Sequence, residues 1–135
     1  MHRNDERTFA IRADADSAAA VMAVGDLARS AGFAPADRTR LMTAVAELAG
    51  NILKYAVRGQ VRVARVSGPD GEGLEVVAAD QGPGIADVAR ALTDRFSTGG
   101  TLGLGLPGVR RMMDEFEIDS APGRGTRVVI RKWKR

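Results

Sequence analysis

The chain has 135 residues, 44% hydrophobic and 27% charged, with 20 Lys and Arg against 17 Asp and Glu and a net charge of +3. That is the profile of one soluble globular domain, able to bury about two thirds of the surface its unfolded chain exposes. The absence of cysteine excludes a disulfide scaffold, a thiol nucleophile and a cysteine-ligated metal. No apolar run reaches the roughly eighteen residues of a membrane span, and the start, Met1 to Arg7, is polar, so the expectation is a cytoplasmic protein.

Alternation around Phe9 and Ile11 predicts a first strand over residues 8–12. An alanine-rich apolar pattern carrying Ala19, Val21, Met22 and Leu27 predicts a helix over 15–29, stopped at Gly32, where glycine permits a left-handed cap. Pro35 suits the first turn of a second helix, expected to run to about residue 56. Strands follow at about 60–66 and 73–79, joined by the turn Ser67-Gly-Pro-Asp-Gly71. Residues 80–101 read as mostly loop with a short helix around 86–92. A third main helix is expected over 106–116, then strands near 117–120 and 125–133 about an Ala121-Pro-Gly-Arg-Gly125 turn. The sum is an α+β two-layer sandwich, with one face of a sheet covered by helices.

The basic end, Arg131-Lys-Trp-Lys-Arg135, could meet RNA or anionic lipid. A final strand with alternating solvent-facing cations accounts for it more simply. No other segment looks like a nucleic-acid footprint.

Four short segments carry the chemistry. On the second helix, Leu41, Val45, Leu48 and Ile52 form one apolar stripe, and Glu47 and Asn51 are i, i+4 neighbours on its border. A carboxylate there can accept a hydroxyl proton, and an amide oxygen beside it suits magnesium; the alternative is a solvated helix face. Asp80-Gln-Gly82-Pro-Gly84-Ile85 follows the apolar strand that starts at Leu74. The carboxylate can accept from an exocyclic amine such as the N6 of adenine, while Gly82 and Gly84 let backbone pass close to a flat ring; a plain tight turn is the other reading. Gly99, Gly100, Gly103, Leu104 and Gly105 lead through Leu106 into a helix, an arrangement that offers N–H groups and the positive dipole end to phosphate. It is neither a P-loop nor a Rossmann fingerprint. Phe96 with Ser97, Thr98, Gly99, Gly100 and Thr101 reads as a lid with glycine hinges. Gly123-Arg-Gly125-Thr126 is most simply a hairpin, and Thr126 starts a strand that could lie behind an adenine pocket.

Glu-x-x-x-Asn on a helix, then Asp-x-Gly-x-Gly, Gly-x-Gly and Gly-x-Gly-Thr, in this order, resembles the GHKL ATP-binding superfamily of gyrase, MutL, histidine kinases and the small serine kinases of bacterial sigma-factor switches. The resemblance covers nearly the whole chain. It implies the Bergerat fold, a mixed and mostly antiparallel sheet with helices on one face, and ATP with Mg2+ as cofactors. It implies Glu47 as catalytic base and Asn51 as magnesium ligand, with Asp80 as adenine partner. Gly82, Gly84, Gly103 and Gly105 would line the nucleotide, beside Ile85, Thr98, Gly99, Gly100, Leu104, Leu106 and Thr126.

Within the superfamily, 135 residues leave no room for a transducer domain, and the only histidine, His2, lies in a polar terminus rather than on a phosphoacceptor helix. The segments Phe96-Ser-Thr, Gly105-Leu-Pro-Gly-Val109, Met113-Asp-Glu-Phe116 and Lys132-Trp133 look like the stressosome branch of switch serine/threonine kinases. That branch phosphorylates STAS-domain scaffold proteins and, once released, activates a PP2C-type phosphatase in a sigma-factor pathway. One departure stands out: related anti-sigma kinases carry a basic residue just before the second glycine motif, where this chain has Thr101-Leu102. The expected function is therefore a single-domain protein kinase using Mg-ATP. Its rivals are an anti-sigma-factor kinase that binds a sigma factor directly, a non-catalytic nucleotide-gated adaptor, and RNA binding through the basic end.

Overall fold

The computed structural model describes residues 1–69, 71–92 and 105–134, except for the side chain of Arg90. Five strands, β1 (His2–Ile11), β2 (Gly59–Gly68), β3 (Gly71–Asp80), β4 (Glu115–Ser120) and β5 (Thr126–Trp133), form one sheet in the order β1-β2-β3-β5-β4. All four pairings are antiparallel. The sandwich is thus two-layered as expected, and no parallel pair occurs among the described residues, where a mixed sheet was expected. Among the described residues four α-helices accompany the sheet: α1 (Asp14–Ala31), α2 (Pro35–Asn51), α3 (Val88–Ala91) and α4 (Gly105–Met112).

The layers are joined by aliphatic side chains. Val24 and Leu27 of α1 and Leu41, Val45 and Leu48 of α2 pack on Ile11, Val61, Val63, Leu74, Val76 and Ile130 of the sheet, all buried. Each such side chain contributes about 1.5–3 kcal/mol relative to exposure, which makes this seam the main source of stability. Gly32 takes the left-handed cap of α1 at φ 87, as its sequence position predicts. Pro35 opens α2.

Three boundaries differ from expectation. β1 begins six residues earlier, and residues 2–8 are exposed, so no alternation marks them. It is an edge strand, interrupted where its pairing shifts between Asn4 and Arg7 around Asp5 at φ 51, a device that blunts an edge. α2 stops at Asn51 and continues as a π-helical turn, Ile52–Ala56. α4 stops at Met112, because Asp114 N–H already donates to the carbonyl of Arg131 and the chain has joined the sheet.

The helix-free face holds a charged cluster. Glu75, 2% exposed, accepts hydrogen bonds from Arg3 Nε at 2.7 Å, Arg3 Nη2 at 3.0 Å and Arg131 Nε at 2.7 Å. Burial works to raise the Glu75 carboxyl, but the hydrogen bonds from Arg3 and Arg131 and their charge outweigh it and hold the group below its ordinary range. Arg131 also donates to Glu115 at 3.0 Å, and Trp133 Nε1 donates to the same carboxylate at 2.5 Å. Lys132 points to the other face, within 3.7 Å of Asp37 and 3.9 Å of Asp114. The expectation of solvent-facing cations in the last strand is therefore corrected: Arg131 is tied into a network, and Lys132 and Trp133 are buried.

Candidate functional site

Glu47 and Asn51 sit on the last turns of α2, both half-buried, at the border of the stripe Leu41, Ala44, Val45 and Leu48. Their spacing brings both to the same end of the helix, above the ends of the central strands. Here the backbone widens into the π-helical turn, a distortion frequent at functional sites. It turns Ile52, Tyr55 and Ala56 toward a cavity of about 430 Å³. The turn closes at Val57, with φ 71 and ψ −43, a conformation that a β-branched residue rarely adopts.

The cavity floor is made by Ala78 of β3 and Val128 of β5, which are register partners. Two residues further on, Asp80 is paired with Thr126, so a carboxylate and a hydroxyl emerge side by side where the floor ends. Asp80 Oδ1 accepts the N–H of Gly82 at 2.8 Å, a local turn that sets the carboxylate against its own loop. A buried apolar floor with a few convergent polar groups suits a flat heterocycle.

Gly84, which also lines the cavity, shows why this loop needs glycine. Its φ is +78, and a Cβ there would lie 2.0 Å from the carbonyl oxygen of Ala121. A Cβ on Gly125, at φ +76, would lie 2.1 Å from the carbonyl oxygen of Asp80. The loop after β3 and the β4–β5 hairpin are thus pressed together backbone to backbone, and a close approach to protein, besides any ring, accounts for these glycines. Gly123 N–H donates to the Pro83 carbonyl at 2.8 Å across the same seam. Ser120 completes it: its hydroxyl accepts the N–H of Ile85 at 2.8 Å, donates to the carbonyl of Gly125 at 2.9 Å, and stands 2.8 Å from the Thr126 hydroxyl.

On the opposite wall, Gly105 and Leu106 begin α4. The N–H of Gly105 donates to Glu47 Oε2 at 3.3 Å, so the N-terminus of α4 faces the carboxylate of α2. Of the residues singled out in the sequence, Asn51, Asp80, Gly84, Ile85, Gly105, Leu106 and Thr126 line this cavity. Glu47 reaches its edge through Gly105, and Gly82 stands behind it against Ala56. Thr98, Gly99, Gly100, Gly103 and Leu104, with the rest of the expected lid, lie outside the described residues.

Sequence reading missed the apolar walls, Tyr55, Ala78 and Val128 among them, and it missed Ser120. The first group reads as core, and a lone serine in a strand carries no motif. Among the described residues no three acidic or imidazole side chains gather as a closed metal site. The Asn51 amide oxygen, on the cavity wall, is a donor of the kind magnesium takes beside phosphate and water. No helix among the described residues is long and apolar enough to cross a membrane.

Residues 11–132 match the histidine kinase-like ATPase domain family. The serine/threonine-protein kinase RsbT of Bacillus subtilis is 43% identical over 132 residues, 98% of this chain and 99% of that protein. An anti-sigma F factor of a Thermoanaerobacter species is 28% identical over 97 residues, 69% of this chain and 68% of its own length. The fold resembles that of a chain in the SiaB–SiaC complex of Pseudomonas aeruginosa, with a TM-score of 0.60 over 96% of this chain and 89% of that one at 14% identity. The chain thus belongs to the histidine kinase-like ATPase domain family, on the branch of its small serine/threonine protein kinases.

Proposed function

We propose that this chain transfers the γ-phosphate of Mg-ATP to a serine or threonine of a partner protein, and that the cavity between α2, β3 and α4 holds the nucleotide. The observation that carries the reading is the convergence of Asp80, Thr126, Asn51 and Gly105 on one apolar-floored cavity, with Glu47 at its edge. The base would lie on Ala78 and Val128 with its exocyclic amine toward Asp80. The phosphates would run toward Asn51 and the N-terminal end of α4, and Thr98, Gly99, Gly100, Gly103 and Leu104 would join in binding them. Asn51 would hold Mg2+, which when bound neutralises phosphate charge. Phosphoryl transfer depends mainly on positioning and charge neutralisation. Glu47 would take the proton of the incoming hydroxyl as its oxygen attacks the γ-phosphorus and ADP leaves.

Similarity to RsbT supports a switch kinase whose substrates are STAS-domain scaffold or antagonist proteins and which, once released, activates a PP2C-type phosphatase in the cytoplasm. Similarity to anti-sigma F factors favours a second reading, in which the captive partner is a sigma factor; co-purification with a sigma factor would distinguish it. The test of the first is phosphotransfer from labelled ATP and magnesium to STAS-domain proteins of the same organism, with Glu47→Ala beside wild type. The variant should lose roughly 10²–10⁴ in rate while binding nucleotide nearly as well. Wild-type turnover in the variant would remove Glu47 from the mechanism. Absence of label with nucleotide still bound would leave a nucleotide-gated adaptor.

A further inference from the structure

Ser120 sits at the end of β4, paired with Thr126, and does not itself line the cavity. Its hydroxyl has three partners. The N–H of Ile85 can only donate, and the carbonyl of Gly125 can only accept. A serine hydroxyl has one proton, and keeping all three hydrogen bonds assigns it to Gly125, whose carbonyl cannot donate. In the 2.8 Å contact between the two hydroxyls Thr126 must therefore be the donor. Ser120 then accepts two hydrogen bonds and gives one, and its capacity is filled.

The consequence falls on Thr126. With its only proton committed to Ser120, its hydroxyl meets the cavity with lone pairs alone. Asp80, its partner across the β3–β5 pair, brings a carboxylate whose oxygens are likewise acceptors. The two polar groups at the end of the cavity floor thus form an acceptor pair. We infer that Ser120 is a specificity-determining positioning residue: by taking the Thr126 proton it makes this end of the site select a ring with an amino group and reject one with a carbonyl at the same place. The inference rests on the nucleotide reading of the cavity and deepens it. A carbonyl oxygen facing Thr126 and Asp80 would stand against lone pairs from both, and a buried polar group left unpaired is costly.

The discriminating probe is inosine triphosphate, which carries a carbonyl where ATP carries its 6-amine. Dissociation constants for both, with magnesium, are measured for wild type, Ser120→Ala, Ser120→Thr and Thr126→Val. Wild type should prefer ATP. Ser120→Ala frees the Thr126 proton to turn toward the cavity, and the ATP preference should fall by about three- to tenfold, the worth of one hydrogen bond. Asp80 still rejects the carbonyl, so some preference remains. Ser120→Thr keeps a hydroxyl and should keep the wild-type ratio. Thr126→Val leaves the Ser120 bonds to Ile85 and Gly125 in place and removes the acceptor, so its ratio should fall to that of Ser120→Ala. A merely structural Ser120 would weaken both nucleotides alike, and an unchanged ratio in Ser120→Ala overturns the inference. Should Ser120→Ala fail to fold, a wild-type ratio in Thr126→Val overturns it equally. Wild type that binds neither nucleotide would overturn the reading of the cavity itself, a distinct result.

Discussion

Gly84 and Gly123 have the same φ of +78, yet they stand in opposite surroundings. A Cβ on Gly123 would meet nothing within 4 Å, whereas one on Gly84 would lie 2.0 Å from the Ala121 carbonyl oxygen and 3.2 Å from that of Gly125. Replacing either with alanine adds the left-handed penalty of about 1–2 kcal/mol. For Gly84→Ala there is more. An ordinary carbon–oxygen contact needs about 3.5 Å, so the loop and the hairpin must part by roughly 1.5 Å. That separation stretches the 2.8 Å bonds from Gly123 N–H to Pro83 and from Ile85 N–H to Ser120, each worth about 1 kcal/mol. Gly84→Ala should therefore cost about 3–4 kcal/mol against about 1–2 for Gly123→Ala. For a chain of this size 1 kcal/mol moves Tm by about 3–5 °C, so the two variants should melt about 6–10 °C apart. Thermal unfolding by circular dichroism reads the difference, and ATP titration should show weakened binding in Gly84→Ala alone. Equal melting temperatures would refute the argument that the seam between loop and hairpin, and not the dihedral angle, makes glycine necessary at Gly84.

Asp80→Ala should weaken ATP binding by roughly 10- to 100-fold, the loss of a hydrogen bond to a charged group, and an unchanged dissociation constant would remove Asp80 from the adenine contact. Glu75 is held below its ordinary carboxyl range in the folded protein, so its contribution is present above the unfolded value and is lost as pH falls through the folded one. Wild type should therefore lose stability as pH falls below about 4.5, while Glu75→Gln should be less stable at neutral pH and show a flatter acid limb; parallel limbs in melting curves from pH 7 to 3 would contradict this. Val57 is 74% exposed at positive φ, so Val57→Gly sheds strain at little cost in packing and should raise stability by about 1 kcal/mol in chemical denaturation, an account that a lowered midpoint would reject.

Where periodicity reports burial, sequence and structure agree. α1, α2 and β2 each turn one face to the core, β3 is an apolar run buried on both faces, and these patterns place them to within a few residues apart from the end of α2. β1 has no such face over residues 2–8, so its first half is silent in the sequence. The π-helical turn is silent for the opposite reason: Ile52 and Leu53 continue the apolar pattern, and a widened turn leaves the spacing nearly unchanged. The acids and glycines found at the cavity, Asp80, Gly84 and Gly105 with Glu47 at its edge, are legible because each stands at or near the end of a periodic element. Ser120 is not, because its role exists only once β4 lies beside β5 and the Gly84 loop lies against both. The basic end teaches the converse. A run of cations suggested a solvated strand, while the decisive residue was an acid some fifty positions earlier. Glu75 interrupts Leu74-Glu-Val-Val-Ala-Ala79, a stretch otherwise apolar enough to be buried on both faces. A carboxylate there must find charged partners, because burying it alone would be prohibitive. In the antiparallel register it stands opposite Arg131 on one side and Ala64 on the other, beyond which Arg3 supplies the second guanidinium. The misplaced acid in the central strand thus carries information about which cations are internal and about how β1 and β5 are set beside β3.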